Sequence, residues 1–437
     1  MYIFQSTQNL DGADPTVTPP TPDRESTRPA ERSLAPDLAR GMMLLLIVLS
    51  NTSVFLYGLP FDGTGLHPEA RGALDSAVQF LMTLALDLRV YPIFAFLFGY
   101  GMVQLFLSRS TTEDGEAGAA RTLRRRSLWL MAFGLVHAAL LLPTDVLAAW
   151  GILGLVICWL FLHGPDRRLL AWAGIGAGLL GLLALLGAVL TAAVASGAFA
   201  PERPGVDATK LDPAIMSAAT PGYLASAVLR LSTWATVTAV TVFGVVAPTA
   251  VLLGMWAARR RILEEPGRYL PLLRRTALLG TALGLAGALP SALVEIGALT
   301  LPRSDGLEQV APLALQWSTG LPGGLGYVAL IALAAHWISA KGPPGPVTVA
   351  VSATGKRSLS NYLAHSIPMA PLLAAWGLGW GAHMTSTTMA LFAVGLWLIT
   401  LLASAALERL PRSNPLSSRG PFELLMRRLV YRTPAGS

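Results

Sequence analysis

"GLVHAALLLPTDVLAAWGIL" spans Gly134–Leu153, and two apolar segments meet in it at the short break Pro143-Thr144. His137 sits inside the first segment and Asp145 opens the second. The two segments read as a helical hairpin in a membrane. Working outward, ten apolar runs approach the roughly 20 residues that a helix needs to cross a bilayer. They are 41–58, 90–107, 127–142, 146–162, 169–190, 233–256, 276–297, 313–338, 359–381 and 386–405. Residues 75–88, "SAVQFLMTLALDLR", read as an amphipathic helix on the membrane surface, with a full span as the alternative. No run alternates at period two, which excludes a strand-rich barrel. The expected fold is all-α, a polytopic integral membrane protein with about ten transmembrane helices.

Composition agrees with this class. The 437 residues are 53% hydrophobic and only 13% charged, against about 25% charged in a soluble domain. The net charge of +7 reflects basic cytoplasmic loops rather than a nucleic-acid partner. Of the 32 lysines and arginines, 26 fall on one side of the ten-span arrangement and six on the other. The positive-inside rule then places both termini in the cytoplasm of a plasma (inner) membrane. Residues 1–35 read as a disordered cytoplasmic tail, 36–407 as the transmembrane domain and 408–437 as a cytoplasmic C-terminal tail. The 59–74 loop, the Pro143 break and the long 191–232 loop face outward. One cysteine, Cys158, cannot form an internal disulfide or a multi-cysteine metal site, and no metal is expected.

Polar residues inside apolar runs are costly in lipid and mark function or packing. In "LARGMMLLLIVLSNTSVF", Arg40 and Asn51 are eleven residues apart. At 100° per residue they share one helix face, about 16 Å apart by helical rise. The plain alternative is a boundary arginine on lipid phosphate and a packing asparagine. The hairpin can bring His137 and Asp145 together. A carboxylate beside an imidazole fixes its tautomer and suits a general base, or else simply locks the hairpin. His67, in "TGLHPEARG", reads as a solvated loop histidine. In "TGKRSLSNYLAHS", Gly355-Lys356 resembles a phosphate loop, but the spacing needs glycine where Ala350 stands. Lys356 and Arg357 instead open a helix with an unusually polar first turn. The clusters "RTLRRRS", with Arg124, Arg125 and Arg126, and "AARRRI" set topology, and would also suit a polyanionic ligand reaching the membrane from the cytoplasm.

"DLARGMMLLLIVLSN", "FAFLFGYGM", "RRRSLWLMAFGLVHAALLLPTDVLAAWGILGL", "GKRSLSNYLAHS" and "GPFELLMRRLVY" occur in order. Together they resemble the YeiB-type membrane proteins from about residue 35 to 431. That family is grouped with transmembrane acyltransferases such as heparan-α-glucosaminide N-acetyltransferase. The resemblance implies acyl transfer from cytoplasmic acyl-CoA, acetyl-CoA first, to an unidentified hydroxyl or amine on a glycan or small metabolite. It implies Arg40, Arg124, Arg125, Arg126, Lys356 and Arg357 on the donor phosphates, and Asn51 toward the thioester carbonyl. His137 with Asp145 is the favoured base, and His67 matches the loop that carries the catalytic histidine of the heparan enzyme. Thr144 stands where YeiB-type proteins usually have glycine. The bilayer, acyl-CoA and a second copy of the chain are the expected partners. The rival expectations are a small-molecule transporter and a non-enzymatic membrane protein.

Overall fold

The computed structural model describes residues 34–61, 66–111, 115–199, 213–304, 306–411 and 413–431. Among these residues every regular element is helical. Among the described residues seven helical stretches are long and apolar enough to cross a membrane. Their outward side chains, such as Leu182, Leu185, Leu391 and Ile399, are large, apolar and well exposed. A surface of that kind belongs in lipid rather than water.

The chain enters with α1 (Leu34–Ser50), so residues 34 and 35, read as tail, already belong to the first helix. Next come α2 (Ala73–Ala85) and α3 (Val90–Ser110), which together make one 38-residue stretch apolar enough to cross a membrane. The expected surface helix over 75–88, with a full span as its alternative, falls on this stretch. Helix α2 buries Asp75, Gln79 and Thr83 against its neighbours while Leu74 and Leu81 point outward. Polar side chains inward and leucines outward is the amphipathicity of a helix immersed in lipid. The stretch bends between α2 and α3, where Leu88 takes a φ of 62° in the left-handed region. Arg89, counted from sequence with the outer loops, is buried at this bend. It donates to the carbonyls of Thr83, Asp87 and Gly284.

Helices α4 (Gly115–Leu140) and α5 (Leu147–Phe161) form the expected hairpin. Gly134 and Gly151 permit its close approach. A Cβ on Gly134 would lie 2.5 Å from the Ala148 nitrogen, and one on Gly151 2.5 Å from the Ser127 oxygen. Then follow α6 (Asp166–Ala195), α7 (Pro213–Ala219), α8 (Tyr223–Phe243) and α9 (Val246–Arg259). The single span expected over 233–256 is instead two helices, broken at Gly244. Helix α8 also begins inside the stretch read as an outer loop. Arg230 lies on it, buried, donating to the Ala139 carbonyl at 2.8 Å and Ser226 Oγ at 2.6 Å.

The remaining helices are α10 (Leu270–Arg275), α11 (Thr281–Glu295), α12 (Leu307–Ala340), α13 (Pro346–Lys356), α14 (Ser358–Leu373), α15 (Ser386–Glu408) and α16 (Pro421–Tyr431). The expected span 359–381 shortens to α14, which carries Pro368 and Pro371 and ends at Leu373. Two ends of the bundle can be told apart by contacts. At the basic end His163 reaches Glu116 at 3.5 Å, Arg259 pairs with Asp166 at 3.2 Å, and Arg109 covers the Tyr431 ring at 4.3 Å. At the far end Tyr223 donates to the Leu140 carbonyl, Thr144 to Asn51, and the Ala375 amide to the Ala218 carbonyl.

Candidate functional site

The hairpin turn builds the far half of the site. Asp145 is fully buried, and its carboxylate accepts from three donors. His137 Nδ1 and the Tyr362 hydroxyl meet Oδ2 at 2.7 and 3.2 Å, while the Leu147 amide meets Oδ1 at 3.0 Å. With the carboxylate ionised and the ring neutral, the shared proton is on Nδ1 and the imidazole lone pair is on Nε2. Nε2 is buried without a partner among the described residues. The Tyr362 ring stands edge-on to the imidazole, with centroids 5.3 Å apart. Sequence reasoning noted Tyr362 only as part of a polar helix turn. Nothing in the sequence indicates that α14 brings it across to Asp145, 217 residues away.

Asn51 closes this end. Thr144 Oγ1 donates to its Oδ1 at 3.2 Å, which leaves the Asn51 amide nitrogen as a donor. The turns just beyond α1 and α4 therefore meet at residues 51 and 144, next to the His137–Asp145 pair. Toward the basic end both helices bear on α3. Arg40 lies against α3 at Gly101, and Arg126 lies over the Phe98 ring at 5.8 Å. Both guanidinium groups therefore lie along the same turn of α3, between Phe98 and Gly101. Arg126 makes no hydrogen bond or ion pair among the described residues. Between the ends lies buried aromatic packing, with Trp150 on Phe94 and Phe98 at 5.2 and 5.9 Å.

The spacing unites these residues. Arg40 precedes Asn51 by eleven positions on α1, and Arg126 precedes His137 by eleven positions on α4. Eleven residues return a helix to nearly the same face after about 16 Å. Each ladder thus has an arginine toward the basic end, lying against α3, and a polar side chain at the far end, where Thr144 joins the two through Asn51.

The other expected residues are placed differently. Arg124 and Arg125 are exposed on α4, at the basic end but away from the inward face. Lys356 and Arg357, expected on a donor phosphate, are engaged within the protein. Lys356 Nζ pairs with Glu408 at 2.6 Å. Arg357 pairs with the same carboxylate at 3.0 Å and donates to the carbonyls of Leu416 and Ser417. Their role is to clamp the C-terminal segment to the α13–α14 break. His67 is not solvated. It is buried, with Nε2 at 2.7 Å from Asp87 Oδ2. Burial pushes its pKa down, but the Asp87 carboxylate, aided by Glu295, pulls it up by more, above the ordinary histidine value. Asp87, like Arg89, is a charged residue in an apolar run, and that was the signal available in the sequence.

Residues 257–433 match the family model described as "Protein of unknown function (DUF418)". The uncharacterized protein YeiB of Escherichia coli (strain K12) is 33% identical over 160 residues, which are 36% of this chain and 38% of that protein. An uncharacterized 39.9 kDa protein from the amylase 3′ region of Bacillus acidopullulyticus is 37% identical over 121 residues, covering 28% and 32%. The uncharacterized protein YxaH of Bacillus subtilis (strain 168) is 27% identical over 141 residues, covering 31% and 34%. The matched stretches thus span about a third of each relative's own length.

Proposed function

We propose that this chain, a YeiB-type membrane protein carrying a DUF418 segment, transfers an acyl group from cytoplasmic acyl-CoA to a hydroxyl or amine on the opposite side of the membrane. The observation that carries the reading is the pair of arginine-to-polar ladders on α1 and α4, both against α3 and joined at the far end by Thr144 and Asn51. In this reading the basic end faces the cytoplasm, because cytoplasmic loops carry the lysine and arginine excess. With Arg89 and Arg230 buried rather than looped, the charge imbalance grows further.

Arg40 is paired with Asp37 at 3.4 Å, whereas Arg126 has no carboxylate partner among the described residues, and a diphosphate fits that demand. The pantetheine arm then runs past the aromatic packing to the far end. His137 Nε2 removes the acceptor's proton as its oxygen or nitrogen attacks the thioester carbonyl. The Asn51 amide donates to the carbonyl oxygen as negative charge develops. Collapse expels the CoA thiolate, which takes the proton back from the imidazolium. Asp145 keeps the Nδ1 proton in place, and Tyr362 and Leu147 keep Asp145 in place.

The test is calorimetric titration of the purified protein with acetyl-CoA, followed by transfer to candidate acceptors. Binding weakened by Arg126→Gln and by rising salt, with His137→Ala binding normally but not transferring, is the expected result. No binding of any CoA thioester at millimolar concentration rejects the reading and leaves the transporter alternative.

A further inference from the structure

The C-terminal helix α16, "PFELLMRRLVY", has two unlike faces. Its inner side buries Met426 and Val430. Its N-terminal Glu423 accepts from the backbone amides of Leu359 and Ser360 at 2.7 and 3.1 Å, which ties it to α14. The Phe422 ring meets Phe133 of α4 edge-on. Its outer side forms an open groove of about 700 Å³ lined by Arg419, Leu424, Leu425, Arg427, Arg428 and Tyr431, among others. The Tyr431 ring has Arg109 at 4.3 Å and Arg427 at 5.9 Å, and Arg126 senses the same tyrosine. Arg427 and Arg109 therefore flank this ring at the groove, and Arg109 belongs to α3, the helix on which Arg126 and Arg40 lie farther in.

Resting on the acyl-CoA reading above, we infer that this groove holds the 3′-phosphoadenosine end of the donor. Arg427 and Arg428 take the 3′-phosphate, and the adenine lies on the apolar wall of Leu425 and Tyr431. A phosphate alone needs only cations. A groove that combines arginines with leucines and an aromatic ring matches a base that carries a phosphate. The further cations along α3 favour a ligand whose second anionic group lies deeper, as the diphosphate of CoA does. A single-phosphate headgroup such as phosphatidylglycerol has no such second group.

The experiment compares acetyl-CoA with acetyl-3′-dephospho-CoA on the full-length protein and on an R427Q/R428Q variant of unchanged melting temperature. Wild type should prefer acetyl-CoA by about tenfold or more, the scale of one charge-assisted hydrogen bond. The variant should lose that preference and bind the dephospho compound as wild type does. A single R428Q variant with an intermediate preference supports the same assignment if the double variant misfolds. Retained preference in the variant, or equal loss of both ligands, overturns the groove assignment while leaving acyl-CoA binding standing. If wild type binds neither compound, the acyl-CoA reading itself fails. If the variant changes only the stabilisation by phosphatidylglycerol in nanodiscs, the groove is a lipid site and the inference is wrong.

Discussion

Asp145 holds three donors in a fully buried position, so its replacement acts on two properties at once. Removing one partner of a buried charged network typically costs about 3–5 kcal/mol. Asp145→Asn should therefore lower the melting temperature and also release the His137 tautomer. His137→Ala removes the base itself, and a loss of transfer on the order of 10²–10⁴-fold is expected. Tyr362→Phe removes one donor and leaves the other two, so it should retain most transfer activity. Turnover and melting temperature measured on the same preparations distinguish this from a purely structural pair, for which activity per folded molecule would barely change. His67 makes a separate forecast. Its pKa is raised in the folded state. The stability it contributes is thus complete below the ordinary histidine pKa, about 6.5, and is lost as pH rises through the higher folded value. The melting-temperature gap between wild type and His67→Gln should be widest in mild acid and narrow as the pH rises. A gap that widens toward alkaline pH contradicts the assignment.

At the scale of elements, the α4–α5 hairpin depends on close backbone contact. Gly134 lies one turn before His137, and a Cβ there would approach Asp145 Oδ1 to 2.6 Å. Overpacking of this kind commonly costs about 1–3 kcal/mol. Gly134→Ala should lower stability by that amount and reduce transfer beyond what the unfolded fraction explains, since the intruding methyl displaces the carboxylate. Normal turnover in Gly134→Ala would show that the pair tolerates displacement and is not the base. The hairpin itself was legible from sequence, because two apolar runs flanked one break. The break inside 233–256 was not. Gly244 and Val245 interrupt no hydropathy signal, and only packing of α9 along α3 and α6 separates it from α8. The reversed amphipathicity of α2 was hidden for a related reason. A 3.6-residue period reports that two faces differ, and the surroundings decide which face is buried.

For the whole molecule, sidedness is the property that the functional reading needs. Ser108 lies exposed at the basic end of α3, and Ser196 lies exposed at the opposite end of α6. In a Cys158→Ala background, Ser196→Cys should react with a membrane-impermeant thiol reagent in intact cells, and Ser108→Cys only after lysis. The reverse pattern would invert the topology and remove acyl-CoA from the reach of Arg126. The sequence by itself determined the class of the molecule. Apolar length and the lysine and arginine distribution are sums over many residues, and such sums survive errors at single positions. It also marked His137, Asp145, Arg40 and Asn51, because charge or amide groups in apolar runs are rare enough to stand out. Only the tertiary structure decided which marked residues work together. It joined Tyr362 to Asp145 and Thr144 to Asn51, buried His67 on Asp87, and engaged Lys356 and Arg357 with Glu408. Those pairings join residues far apart along the chain, and their geometry comes from helix packing, to which no local pattern corresponds.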